Sequence, residues 1–138
     1  MWKVHLNGGP PVQVTKNGGI FATESADGRF LYYSKLDVPG VWKMPLHGGE
    51  ETRVLDQGGG FGWSNWALSW NGIYFLNFKT QPNATVEFFE FATHTIIPIW
   101  TLEKPAGMGL ALSADGRSIL YVQNEFTQSN IMLVKNLR

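Results

Sequence analysis

The stretch Ser25-Ala26-Asp27-Gly28-Arg29-Phe30-Leu31-Tyr32-Tyr33 returns near the other end of the chain as Ser113-Ala114-Asp115-Gly116-Arg117-Ser118-Ile119-Leu120-Tyr121. A degraded copy, Ser69-Trp70-Asn71-Gly72-Ile73-Tyr74-Phe75, lies midway between them. The glycines at 28, 72 and 116 are evenly spaced, 44 residues apart. A fixed period of that length is the mark of a repeat architecture, in which one supersecondary unit buries its apolar faces only by stacking on its neighbours.

Working outward from the first copy, 19–25 reads as a short strand, Ala26-Asp27-Gly28 as a tight turn and 29–34 as a second strand. Asp-Gly suits the corner because the turn asks for positive φ, which glycine and aspartate tolerate and a β-branched residue does not. Beyond it, Val41-Trp42-Lys43-Met44-Pro45-Leu46, then His47-Gly48-Gly49, then 51–55, has period-two alternation on both sides of a glycine turn, the pattern of a hairpin. One unit is thus four strands, a to d, over 19–55.

The same c-to-d hairpin pattern stands at the start, where 2–6 alternates large apolar residues with Lys3 and His5, Gly8-Gly9 turns, and Val12 and Val14 flank Gln13. Residues 1–15 therefore read as strands c and d of a split unit. A second whole unit spans 63–100: strand a at 66–69, the turn Asn71-Gly72, strand b at 73–78, strand c at 85–91 and strand d at 95–100. The last stretch, 107–138, supplies strand a at 109–113, strand b at 117–123 and strand c at Ile131 to Val134, with no strand d. Glycine or proline breaks the chain every ten residues or so, and no 3.6-residue periodicity is sustained, so the expected class is all-β. Four antiparallel strands per repeat is the pattern of a β-propeller blade; a β-sandwich gives no reason for the period.

Composition bounds the function. A chain of 138 residues with 43% hydrophobic residues has the size and apolar content of one folded domain. Zero formal net charge and 16% charged residues argue against affinity gained by neutralising phosphates or anionic lipid, so nucleic acid is not an expected partner. The absence of cysteine excludes disulfides, thiolate metal sites and cysteine nucleophiles. The uncharged segment 57–78 is broken by glycines and by Asn71-Gly72, so membrane insertion is not expected either. The first residues lack the apolar run of a signal peptide, which leaves a cytoplasmic or periplasmic location open.

With these residues in view, the pattern Leu-Ser-Ala-Asp-Gly-Arg-x-Ile-Leu-Tyr followed by Val-Trp-x-Met-x-Leu-x-Gly-Gly-Glu resembles the WD-repeat-like propeller blades of bacterial Tol-type translocation proteins. Their usual turn is Ser-Pro-Asp-Gly-Arg, and Ala26 and Ala114 stand here in place of the proline. The ending Ser129-Asn130-Ile131-Met132-Leu133-Val134-Lys135-Asn136-Leu137-Arg138 is similar to the last blade of propellers attached to bacterial winged-helix regulators. The resemblance implies a non-enzymatic module for protein interaction or ligand sensing, a fragment of a larger regulator-type protein, with no cofactor. The alternative is a propeller enzyme or carbohydrate-binding propeller with its site at the ring centre.

Several side chains invite a chemical reading. His5, His47 and His94 each sit at a c-to-d hairpin of a different unit, too far apart to share one metal, so no metal site is expected. Asp27 and Asp115 could be a repeated carboxylate pair, but closing their own turns by binding backbone amides is the stronger reading. Arg29 and Arg117 are expected to cover the adjacent sheet. Phe61, Trp63 and Trp66 follow Gly58-Gly59-Gly60 in the connection between units, on the face where propellers usually bind ligands. They are candidate ligand platforms, with packing between blades as the stronger alternative. Lys35 and Lys79, in the b-to-c loops of that face, complete the candidate ligand-binding set. The run Asn83-Ala84-Thr85 matches a glycosylation acceptor and is read as incidental.

A blade needs a neighbour on each side, and rings typically close with four to eight. The chain holds about three. The expectation is a homo-oligomer, with a twofold dimer giving about six blades, two of them hybrids of one copy's last strands and the other's first hairpin.

Overall fold

The computed structural model describes residues 1–59, 62–80 and 83–124. Among the described residues every regular element is a β-strand. Twelve strands form four antiparallel sheets: β1 (Trp2–Lys3) with β2 (Val12–Gln13), β3 (Phe21–Glu24) to β6 (Thr52–Gly59), β7 (Trp66–Leu68) to β10 (Ile96–Thr101), and β11 (Ala106–Leu112) with β12 (Ile119–Gln123). The second and third sheets take in β4 (Phe30–Ser34), β5 (Pro39–Pro45), β8 (Gly72–Asn77) and β9 (Thr85–Glu90), and in both the strands lie in sequence order. These are plain meanders, and the short connections leave no crossover. No helix among the described residues is long and apolar enough to cross a membrane. The expected strand at Ile131 to Val134 and the rest of the C-terminal ending lie outside the described residues, as does most of the last b-to-c loop.

The core explains the apolar runs. Successive residues of a strand point to opposite faces, so a strand covered on both faces has no polar alternation. In β4, Tyr32 turns one way to join Val41, Leu55, Trp66, Ile73, Phe75 and Phe89 between the two four-stranded sheets. Leu31 and Tyr33 turn the other way and meet Trp42 and Met44, with Met1 and Val14 of the N-terminal hairpin region against them. A third cluster, Ala67, Leu76, Ala84, Val86, Leu102 and Leu110, fills the space between the second four-stranded sheet and the β11–β12 pair. The four sheets therefore pack face to face in series.

Polar bonds tie neighbouring sheets through the residues that lead into β7. Ser34 Oγ donates to the Trp63 carbonyl at 2.7 Å. Asn65, 1% exposed, accepts at Oδ1 from the Gly109 amide at 2.6 Å, and the Ser64 carbonyl accepts from the Leu110 amide at 3.1 Å.

The turns correct one expectation. Gly28 and Gly116 have φ of 67° and 69°, but Asp27 and Asp115 do not take positive φ, and neither does Gly72. The aspartates act through their side chains instead. Asp27 Oδ1 accepts from Ser25 Oγ at 2.6 Å and from the Arg29 amide at 3.0 Å, while Ser25 Oγ accepts from the Phe30 amide at 3.0 Å. Ser113, Asp115, Arg117 and Ser118 repeat the arrangement within a tenth of an ångström. Gly72 is required for another reason, because a Cβ there would lie 2.2 Å from the Phe89 carbonyl oxygen and 2.4 Å from the Phe88 ring. It is small because β9 and its phenylalanines press on the corner.

Candidate functional site

A cleft of about 320 Å³ opens between the two four-stranded sheets, at the end where β5 begins and β8 ends. Pro39, Arg53, Asp56 and Gln57 line it from the first sheet; Asn77, Phe78 and Lys79 line it from the second. Each arrives by a local cause. Asn77 ends β8 by accepting the Lys79 amide on its Oδ1 at 3.0 Å, which bends the chain outward and leaves Phe78 half exposed at the mouth. The Asn77 amide group donates to Glu87 Oε1 at 2.9 Å, which satisfies that largely buried carboxylate on β9. Arg53 lies over the Trp42 ring, 5.4 Å from its centroid, and donates to the carbonyls of Pro39 at 2.8 Å and Asp56 at 3.2 Å. Gly40, at φ 127°, permits this closeness, since a Cβ there would stand 2.6 Å from the Leu55 carbonyl oxygen and 2.9 Å from Arg53 Nε.

The sequence-derived ligand set is not assembled at one place. Lys79 lines the cleft. Trp63 and Trp66 are packing groups between the sheets: Trp66 is 0% exposed, with its ring edge-on to Phe21 at 5.2 Å, and Trp63 lies 6.0 Å from the same ring. The Trp63 carbonyl accepts from Trp66 Nε1 at 3.1 Å, which fixes the indole. Lys35 does not line the cleft: its ammonium pairs with Glu51 at 2.5 Å and sits 4.8 Å from the Trp42 ring centroid. Phe61 lies outside the described residues.

Around Glu51 a small polar network forms. Its carboxylate accepts from Lys35 Nζ, from the Tyr33 hydroxyl and from Asn17 Nδ2. Burial pushes the Glu51 carboxyl up, but these three hydrogen bonds together outweigh it and hold the group below its ordinary value. Burial, with the Glu51 bond second, drives the Tyr33 hydroxyl far above its usual range. The network straps the chain after the β5–β6 turn to the end of β4, and it reads as structural.

The repeated aspartates are likewise engaged in their turns. Asp27 is held down to about 2 by its hydrogen bonds from Ser25 Oγ, the Arg29 amide and the Arg29 side chain, in that order, and Asp115 is lowered by Ser113 and the Arg117 amide. Arg29, expected to cover a neighbouring sheet, folds back instead on Asp27 at 2.6 Å and over its own Phe30 ring. Asn83, of the glycosylation-like run, donates to the Glu103 carbonyl at 2.9 Å. Among the described residues no three His, Asp or Glu side chains gather as a metal site would require.

The cleft brings the cation Lys79, the carboxylate Asp56, the Gln57 amide and the exposed Phe78 ring to one mouth, while the Asn77 side-chain amide is engaged by Glu87 and the Lys79 backbone amide. No sequence pattern marks Pro39, Arg53, Asp56 or Asn77, because only the register between β5 and β6 brings Arg53 beside Trp42 and within reach of Pro39. Comparison with protein-family models gives no match, and comparison with curated proteins gives no significant relative.

Proposed function

We propose that the chain is a β-propeller module without catalytic activity, which binds a protein segment or a small polar ligand at the Lys79 cleft and closes its ring with a second copy. The observation that carries this reading is the bond between Asn65 Oδ1 and the Gly109 amide, whose positions differ by 44 residues, the period of the sequence repeat. Equivalent positions of successive units touch when the units are arranged radially, with first strands innermost. Phe21 at the start of β3, set against Trp66 at the start of β7, supports the same geometry one unit earlier. A sandwich would bring together positions with no such relation.

Exposed apolar groups at both ends support association. Trp2 on the first hairpin is 66% exposed, and Leu120 on the last is 67% exposed. Among the described residues the first and last sheets have two strands each, and the unpaired edge of such a sheet invites further strands. In this reading the N-terminal hairpin of one copy, a c-to-d pair by sequence, completes the β11–β12 pair of the other.

The mass in solution tests the assembly. Light scattering after size exclusion is expected to give twice 15.4 kDa, the mass of one chain. A clean monomer would remove the second copy from the proposal. For binding, Lys79→Ala is expected to lower capture of a ligand selected from a peptide library at least fivefold, and an unchanged affinity would move the site elsewhere.

A further inference from the structure

The turn between β9 and β10 holds the one non-glycine residue with positive φ among the described residues: His94, at 56°. Its amide donates to the Glu90 carbonyl at 2.9 Å. In the β1–β2 and β5–β6 hairpins the positive-φ positions are held by glycine in a turn one residue shorter, Gly48 at φ 98° donating to the Pro45 carbonyl and Gly8 at φ 90° to the His5 carbonyl, each three residues back where His94 reaches four. A side chain in the left-handed region carries a steric cost that glycine avoids, and such residues concentrate where function holds them.

The histidine ring has a defined place. It lies flat against Phe89, with centroids 6.1 Å apart and planes 26° apart; Phe89 stands edge-on to Phe91, and Phe91 stacks on Tyr32 at 5.6 Å. These four rings join the first and second four-stranded sheets and wall a cleft of about 390 Å³, which Lys43 and Thr52 line from the first sheet. Lys43 Nζ is 4.5 Å from the Phe30 ring centroid and has no carboxylate partner among the described residues. No carboxylate lines the cleft among those residues. The carboxylate whose charge acts on Tyr32 is Asp27, which is engaged by Ser25 and Arg29. Arg53 also borders the cleft, but its guanidinium is bound to the Pro39 and Asp56 carbonyls.

We infer that this rim cleft binds a small aromatic carboxylate, its ring among Tyr32, Phe91 and His94 and its carboxylate between Lys43 Nζ, the Thr52 hydroxyl and a ring N–H of His94. Aromatic walls favour a flat apolar body, and one ammonium with a hydroxyl and a ring N–H matches a carboxylate better than a doubly charged phosphate. The two clefts share Arg53 at their border and no other lining residue: Asn77 of the Lys79 cleft pairs with Thr85 at the start of β9, whereas Phe89, Phe91 and His94 stand at its end and beyond. It requires only that the two sheets pack as described, and not that a ring closes.

Benzoate and its uncharged isostere benzamide are the probes, added to the isotope-labelled full chain while NMR shifts of the His94 ring and the Phe91 amide are read. Benzoate is expected to give saturable shifts at both, and benzamide none. His94→Gly, which restores the residue type of the other two turns, is expected to weaken benzoate at least fivefold while raising the melting temperature. Lys43→Gln, which leaves the turn untouched, is expected to weaken it similarly and keeps the test valid if the first variant misfolds. Equal binding of benzamide, unchanged benzoate affinity in Lys43→Gln, or shifts confined to residues outside the cleft would overturn the assignment.

Discussion

Asn65 Oδ1 and the Gly109 amide, one repeat period apart, meet in a 2.6 Å hydrogen bond across the boundary between two sheets. Asn65 is almost wholly enclosed, and its backbone carbonyl is occupied by the Leu76 amide at 3.0 Å, so side chain and main chain serve different sheets. Removing the acceptor leaves the half-buried Gly109 N–H to be satisfied by something else. Asn65→Ala is expected to cost about 1–3 kcal/mol. Urea unfolding followed by tryptophan fluorescence measures it. A loss below about 0.5 kcal/mol would mean that water enters and replaces the amide.

The two Ser-x-Asp turns offer an internal control. Ser25 Oγ donates to Asp27 and accepts from the Phe30 amide, and Ser113 Oγ does the same with Asp115 and the Ser118 amide. Ser25→Ala and Ser113→Ala should each cost about 1 kcal/mol, because each removes the same local bonds. Ser25→Ala should also let the Asp27 carboxyl rise from about 2 toward its ordinary 3.8, since the serine is the largest cause of the depression. Carboxylate carbon shifts followed through an acid titration show this directly.

Glycine substitutions separate two reasons for having glycine. At Gly28 the φ of 67° penalises a side chain although nothing lies within 4 Å of the Cβ position. Gly28→Ala should therefore cost about 1 kcal/mol, a purely backbone effect. At Gly72 the backbone is ordinary but the added methyl would collide with the Phe89 carbonyl oxygen, which belongs to a paired strand and cannot yield. Gly72→Ala should cost about 3 kcal/mol or more. Thermal melts of the two variants decide it, and the reverse order would contradict the packing of β9 on this corner.

These glycines also mark how far the sequence is legible. The even spacing of Gly28, Gly72 and Gly116 locates three hairpin corners, between β3 and β4, at the start of β8, and between β11 and β12. Equal spacing does not reveal that the middle glycine answers to a phenylalanine from β9, since that pressure comes from a separate strand further along the chain. Trp63 and Trp66 show the same limit. A tryptophan beside glycines in a connection reads equally as platform or packing, and only the position of Phe21 in the neighbouring sheet decides for packing. The Lys79 cleft and the His94 cleft are built from residues of two sheets each. No local pattern in one stretch records a pairing that the stacking of sheets creates.

Acid should loosen the chain through carboxylates held ionised in the fold. Glu51 and Asp27 both have pKa values below those of the unfolded chain, Glu51 despite the opposing effect of burial. A group depressed on folding contributes stability above its unfolded value, and that contribution is lost as pH falls through the folded one. Stability should thus begin to fall as the pH drops below the ordinary glutamate value of 4.5 and continue to fall to about 2, where Asp27 takes its proton. Glu51→Gln is expected to remove part of that slope and to cost about 2 kcal/mol at neutral pH, because Lys35 loses its charged partner beside the Trp42 ring. Urea midpoints measured from pH 7 down to about 2.5 test both statements. A parent chain and a Glu51→Gln variant with parallel profiles would show that the Glu51 network contributes nothing to acid sensitivity.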